Sequence, residues 1–292
     1  MVEILACLKW VALRPEVDPL TGAVSVDARF SGAGPADASA LEWALRLAGQ
    51  VGGTVTAVSV GGPRCEPILR DALAAGAARA VRIDGPDGAD SRAVAVAIAD
   101  LARQSAFIEL IVCGDLSLDR GSGSVPAFVA HELGWPQALG LVAAATADEG
   151  WVLERRLDQG RRERLRLVGQ GVASFERGPE LRRASLSGTL AAGTATVEVR
   201  PMPLVAPDPH RPTVTGSGPY RPRSKVKPAP AGSTRDRLLD LLGVHDDSTG
   251  AELHEVSPAE AARLVVDRLA EWGYLEAKPA SESGVAAADT GP

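Results

Sequence analysis

Through the first half of the chain, apolar runs of strand length alternate with segments of helical period, and few folds accommodate that alternation. Residues 2–8 (VEILACL), 54–60 (TVTAVSV), 80–83 (AVRI) and 108–113 (IELIVC) are strand-like. The last is apolar but for Glu109, which predicts burial on both faces. Between them, residues 38–50 with Asp37 as N-cap, residues 66–75 closed by Gly76, and residues 92–104 predict helices. The pattern predicts an α/β fold: a doubly wound, mostly parallel, Rossmann-like sheet with helices on both sides. Past Gly140 the period changes. LVAAATA, WVLERRL and ERLRLVGQGVASF read as strands joined by hairpin turns at Asp148-Glu149-Gly150 and Asp158-Gln159-Gly160, an antiparallel extension of the sheet.

Residues 1–200 therefore predict one α/β domain with its extension. Residues 202–232 are dense in proline and predict an extended arm. Two helices follow. The first is capped by Ser233 or Thr234; the second has Ser257 as N-cap, Pro258 at N1 and Glu260 completing a capping box. An apolar helix at the end of a proline-rich arm needs a surface to pack on, so residues 201–276 predict contact with a partner subunit. Residues 277–292 predict a disordered tail.

Composition narrows the function. Hydrophobic residues make up 45% of the chain but aromatic residues only 4%, so Ala, Val and Leu must build the core. That favours helices packed closely on a sheet over a large aromatic-lined cavity. The net charge of −6 offers no electrostatic footprint for nucleic acid. Arg155, Arg156, Arg161, Arg162, Arg164 and Arg166 crowd one segment, as a solvated hairpin or as a docking face for a partner. Cys7, Cys65 and Cys113 carry no metal-ligand spacing and predict reduced thiols of a cytoplasmic protein. The N-terminal apolar run holds Glu3 where a signal peptide needs positive charge, and no stretch has the length of a membrane span, so no membrane insertion is expected. The four histidines form no catalytic or metal-binding constellation, and no catalytic residue is expected.

One loop asks for a ligand. After the fourth strand, residues 114–121 deliver Ser122-Gly123-Ser124-Val125 to the start of a helix carrying Phe128, Val129 and Leu133. Open backbone N–H groups and the positive end of a helix dipole suit a phosphate there. Gly114, Gly121 and Gly123 let backbone approach closely, while Ser117, Ser122 and Ser124 offer hydroxyls. Asp119 has three possible uses: capping the helix, orienting the loop, or accepting from a ribose or base. GAGPAD and GSGSVP echo a dinucleotide fingerprint, but both lack its third glycine.

The stretch GDLSLDRGSGSVPAFVAHELGWPQ resembles the adenosine-phosphate loop of the electron-transfer flavoprotein beta subunit, roughly G-x-Q-A-x-D-x-D-T-x-Q-V-x-x-x-x-A-x-x-L-G-x-P-Q. Leu116, Gly121 and Ser124 replace its Gln, second Asp and second Gln. ACLKWV, GPADASALEWALRL, WVLERRLDQGRRERLRL and RRASL resemble further segments of the family in the same order. The resemblance implies a heterodimer in which this chain binds AMP in its own cleft and helps enclose the FAD of an alpha subunit. Electrons would pass from a dehydrogenase donor to a quinone-linked oxidoreductase acceptor, this chain being an electron-carrier subunit and not an enzyme. Residue by residue, it implies nucleotide contacts at Cys7, Lys9, Gly34, Pro35, Ala36, Asp37, Val60, Gly114, Ser117, Asp119, Gly121, Ser122, Gly123, Ser124 and Val125. Leu186 matches the leucine that anchors on a partner dehydrogenase. Arg156 stands where the family often has an acidic residue, and the run after Leu186 lacks the usual lysines, which points to a specialised partner. The Ala-, Arg- and Gly-rich composition suits a high-GC bacterium and a divergent member linked to peptide-cofactor metabolism. Two alternatives stand beside this reading: a bifurcating form with a second FAD in place of AMP, and an adenine-nucleotide-binding stress or signalling protein without redox work.

Overall fold

The computed structural model describes residues 2–86, 88–205, 233–241 and 255–274. The chain divides into two compact units, residues 1–221 and 222–292. Most of the expected proline-rich arm (206–232) and all of the expected tail lie outside the described residues.

The first unit begins with β1 (Glu3–Cys7), the short strands β2 (Trp10–Ala12), β3 (Glu16–Val17), β4 (Val24–Ser25) and β5 (Ser31–Ala33), and α1 (Pro35–Val51). Then come β6 (Thr54–Val60), α2 (Glu66–Ala75), β7 (Arg79–Asp84), α3 (Ser91–Arg103), β8 (Ile108–Gly114) and α4 (Ser124–Leu133). It closes with β9 (Gln137–Thr146), β10 (Trp151–Arg156), β11 (Arg162–Leu167), β12 (Gly171–Phe175), α5 (Leu186–Thr194) and β13 (Glu198–Pro201). One nine-stranded sheet has the order β11-β10-β9-β12-β8-β1-β6-β7-β13. β1, β6, β7, β8, β9, β12 and β13 run parallel; β10 is antiparallel to β9, and β11 to β10.

The doubly wound α/β expectation holds, and its antiparallel extension is narrower than the sequence predicts. The third run splits at Gly169, whose φ of 74° turns the chain. Only β11 stays in the hairpin, while β12 enters the parallel sheet between β8 and β9. The physical reason is burial. Every residue of β12, GVASF, is buried, and such a strand needs cover on both faces.

The start of α1 also differs from the expected one. Gly34 is its N-cap and Pro35 sits in its first turn, where a missing N–H costs nothing. Asp37, expected as the cap, is the third residue of the helix, and its carboxylate accepts instead from the Lys9 backbone N–H at 3.0 Å.

Strand pleating sorts the core into two layers. Ile4 and Ala6 of β1 face α1 and α2 together with Leu41, Leu47, Leu69, Trp151 and Phe175. Leu5 and Cys7 face α3 and α4 with Val58, Ile98, Leu101, Ile111 and Val129. Ala40, Ala44 and Ala48 recur along one side of α1, so the helix lies close on the sheet. Each fully buried Leu or Ile contributes roughly 1.5–3 kcal/mol to the fold.

The arginines of the β10–β11 hairpin are largely paired. Arg155 meets Glu163, Arg162 meets Glu154, and Arg156 meets Glu176 at 2.6 Å. In the second unit, α6 (Thr234–Leu241) and α7 (Pro258–Glu271) form where the sequence predicts helices, and Ser257 and Glu260 make the expected capping box. Among the described residues no helix is long and apolar enough to cross a membrane.

Candidate functional site

From β1 the chain winds to β6 and β7, then returns past β1 to β8. The loops leaving β1 and β8 therefore diverge, and a cleft opens over the carboxyl ends of the strands, where ligands bind in open α/β sheets. Cys7, Lys9, Asp37, Val60, Gly114, Ser117, Asp119, Ser122, Gly123 and Val125 all line it. Gly34, Pro35 and Ala36 stand at the start of α1, Gly121 in the loop after β8 and Ser124 at the start of α4, and none of these five lines the cleft. Leu186 and Arg156 stand elsewhere, at the start of α5 and the end of β10.

The loop after β8 is built by close backbone contact. A Cβ at Gly114 would collide with the Asp37 carboxylate and come within 2.9 Å of the Asp37 backbone nitrogen. One at Gly123 would collide with the Asp115 carbonyl oxygen. The Ser117 N–H donates to the Ser122 carbonyl at 3.0 Å and the Gly121 N–H to the Ser117 carbonyl at 2.7 Å, which folds the loop on itself. The Asp115 N–H donates to the Phe175 carbonyl at 3.0 Å and ties the loop to β12. The loop ends at Gly123, the N-cap of α4, which supplies no side-chain cap. The first N–H groups of α4 thus remain as donors, with Ser122 and Ser124 beside them.

Side chains from distant segments orient this loop. Lys9 donates through Nζ to Ser117 Oγ at 3.0 Å and to Asp119 Oδ1 at 2.7 Å, and Ser117 Oγ also donates to Asp119. Of the three uses of Asp119, these bonds serve the one that orients the loop. Burial pushes its carboxyl pKa upward, but the hydrogen bonds from Lys9 and Ser117 outweigh that and hold it below the usual aspartate value.

Cys7 and Cys113 end neighbouring strands on the cleft floor; both are buried, and no disulfide joins them. The hydrogen bond between the two thiols, with burial, pushes the Cys7 pKa well up.

Asp37 lies half-buried against the cleft floor. Burial pushes its carboxyl up to about 7, opposed by the N–H groups of Lys9 and Gly114 and by the charge of Lys9. Between the unfolded aspartate value of about 4 and 7, the folded chain holds a proton that the unfolded chain has lost. The contribution of Asp37 is therefore full below pH 4 and lost as pH rises to 7. Urea unfolding of wild type and Asp37→Asn at pH 5 and pH 8 checks this. Wild type loses at most about 2.7 kcal/mol relative to the variant across that interval, roughly 1.4 per pH unit from 5 to 7 and less where solvent screens the half-buried carboxyl, and a constant difference would refute the buried-proton account.

Sequence reasoning missed Trp10, Arg64, Ser91, Val94 and Arg120, which also line the cleft. Ser91 and Val94 sit at the start of α3, after β7. The only available signal was that β7 also ends at the carboxyl side, so its loop had to reach the same mouth.

A switch-point cleft with a glycine-built loop and an uncapped helix start defines a doubly wound α/β protein arranged for ligand binding. Residues 25–202 match the family described as the electron transfer flavoprotein domain, and the chain belongs to that family. Its similarity is to the beta-subunit type. The electron transfer flavoprotein subunit beta of Thermoanaerobacterium thermosaccharolyticum is 31% identical over 163 residues, 54% of this chain and 62% of the relative. That of Chromohalobacter salexigens is 29% identical over 213 residues, 72% of this chain and 77% of the relative. Protein FixA of Azorhizobium caulinodans is 28% identical over 209 residues, 68% of this chain and 74% of the relative.

Proposed function

We propose that this chain is the nucleotide-binding subunit of a heterodimeric electron-transfer flavoprotein. It holds AMP in its own cleft and helps enclose the FAD carried by an alpha subunit. The observation that carries the reading is the cradle at the start of α4. Gly114 and Gly123 let the loop close on Asp37 and on the Asp115 carbonyl, where any side chain would collide, and the first N–H groups of α4 have no side-chain cap. Phosphate seats on the first turn of α4 beside Ser122 and Ser124, Lys9 and Asp119 hold the loop in place, and Cys7 and Val60 border the base and ribose. The flavin supplies the electron-accepting chemistry when bound; this chain contributes shape and electrostatics. Electrons pass from a dehydrogenase to a quinone-linked acceptor in the cytoplasm. Leu186, 78% exposed at the start of α5, serves as the anchor on the donor, and Arg156 on the hairpin helps select the partner.

Co-expression with an alpha subunit of the family tests the reading. One flavin and one AMP per purified pair is the expected content; two flavins would assign the bifurcating form, and a colourless monomer carrying ATP the stress-protein class. In the same pair, Ser122→Arg fills the phosphate cradle. Its AMP content falls more than about tenfold, the loss of one charge-assisted phosphate seat, while the flavin stays. Retained AMP would place the nucleotide elsewhere.

A further inference from the structure

Arg82 is a charge inside the core. It stands in β7 between Val81 and Ile83, both buried, and is itself only 7% exposed. Burying a guanidinium is costly unless its charge and donors are matched. Groups from three places match them. Nη1 donates to the Gly61 carbonyl at 3.2 Å and to the Asp84 carboxylate, and Nε lies 3.2 Å from a Glu66 carboxylate oxygen. Glu66 opens α2, and Asp84 ends β7.

Those partners frame one side of the cleft. The loop from β6 to α2 runs from Gly61 to Glu66, and Gly61, Arg64 and Cys65 in it line the cleft. Asp84 leads into the loop from β7 to α3, which lines it with Pro86, Gly88 and Ala89. The root of the first loop is tightly packed. The Gly61 N–H donates to the Ile83 carbonyl at 2.9 Å, and a Cβ at Gly61 would come within 2.6 Å of the Cys65 sulfur. Arg82 itself is not one of the described residues that line the cleft. Val81 and Ile83 pack in the layer of α3 and α4, so the pleat turns Arg82 to the other face of the sheet. From there its rigid fork holds a loop carbonyl and a helix start to the strand, which an apolar side chain cannot do. We propose that Arg82 is a positioning residue for the cleft: it touches no ligand and fixes the loop after β6 as the wall facing the loop after β8. This rests on the reading that the cleft takes an adenine nucleotide.

AMP binding to the full chain and hydrogen exchange of its amides, in wild type, Arg82→Met and Arg82→Lys, test it. Methionine is long and adaptable but brings neither charge nor donors. Arg82→Met binds AMP about tenfold more weakly, the size of one lost hydrogen-bonded contact to a charged group. Amides within residues 61–66 exchange at least about tenfold faster in that variant, while those of β1 and β8 keep their protection. Arg82→Lys recovers part of both, because an ammonium reaches a carboxylate but cannot span all the partners of the fork. AMP affinity unchanged in Arg82→Met, or faster exchange spread evenly over the sheet, overturns the positioning role. Binding of no AMP by wild type overturns the cleft reading, and the exchange contrast at residues 61–66 then decides for or against Arg82 by itself.

Discussion

Gly123→Ala lowers the melting temperature of the chain by about 5–12 °C and abolishes AMP retention by the assembled pair. The size follows from a strain of about 2–4 kcal/mol in a domain of roughly 200 residues. Backbone angles are not the cause, because φ −111° and ψ 36° at Gly123 are open to alanine. The cause is what the new methyl group meets: the carbonyl oxygen of Asp115, with the carbonyl carbon behind it at 2.9 Å. Both are backbone atoms, and Asp115 is tied to Phe175 of β12, so the obstacle cannot swing aside. Either the loop opens or the first turn of α4 unwinds, and each removes the donors at its start. Gly121→Ala is the matched control. Gly121 has φ of 61° but nothing within 4 Å of the added carbon, so that variant costs only about 1 kcal/mol and keeps the loop closed. Calorimetry and nucleotide content of both variants decide the matter: equal melting shifts would show that dihedral freedom, not close approach, is why a glycine stands at 123.

Glu42→Gln costs about 2 kcal/mol at neutral pH and loosens the segment leading into α5. The Glu42 carboxylate is buried in α1. It accepts from Arg46 Nε at 2.7 Å and from Arg182 through Nε at 2.9 Å, Nη2 at 3.1 Å and the backbone N–H at 3.1 Å. An amide presents one acceptor and two donors, so the arginine fork faces N–H groups it cannot bond. The cost is moderated because Arg46 and Arg182 keep side-chain exposures of 46% and 43%, and water partly replaces their lost partner. Burial raises the Glu42 pKa, but the hydrogen bonds from Arg182 and Arg46 outweigh it and hold the carboxyl below the usual glutamate value. A lowered folded pKa means the stabilisation is present above the unfolded value of about 4.3 and lost as pH falls through the folded one. The gap between wild type and variant in urea therefore narrows toward pH 3. Trypsin cuts the variant faster after Arg182 and Arg183, because Arg182 is the tether that positions Leu186. Unchanged cleavage would mean that the packing of α5 holds the segment without Glu42. That packing is close: Gly188 lies where a Cβ would come within 2.7 Å of the Ala74 carbonyl oxygen.

Much of this architecture was legible because periodicity is a local property. The largely apolar run of β8, the glycine that ends α2 and the Ser257–Glu260 box each declare themselves within a few residues, and each is in place. Asp37 shows where local reasoning stops. By residue type it is a good cap, but Pro35 already suits the first turn, and a donor at Lys9, 28 positions away, competes for the carboxylate. GVASF shows the same limit from the other side. An apolar run after a hairpin looks like its third strand, and only the cover that β8, β9 and the flanking helices give it explains why β12 pairs between those two strands. β13 gives little signal at all: EVRP alternates weakly, and its place beside β7 is secured by Arg79 reaching Glu198 at 2.9 Å.

The candidate site divides in the same way. The glycines and serines of the loop sit together in the chain and point to an anion before any fold is known. The bonds that set their geometry join Lys9 to Ser117 and Asp119, more than a hundred positions apart, and Arg120 to Gly88. By itself, then, the order of residues determined the kinds of element, their caps and a loop suited to phosphate, since each depends on side-chain spacing over one or two turns. Only the tertiary structure decided the strand order that opens the cleft at β1 and β8, the burial that moves the proton affinity of Asp37, and the pairing of Lys9 with Asp119. Those follow from which distant surfaces pack together, and no local spacing encodes that.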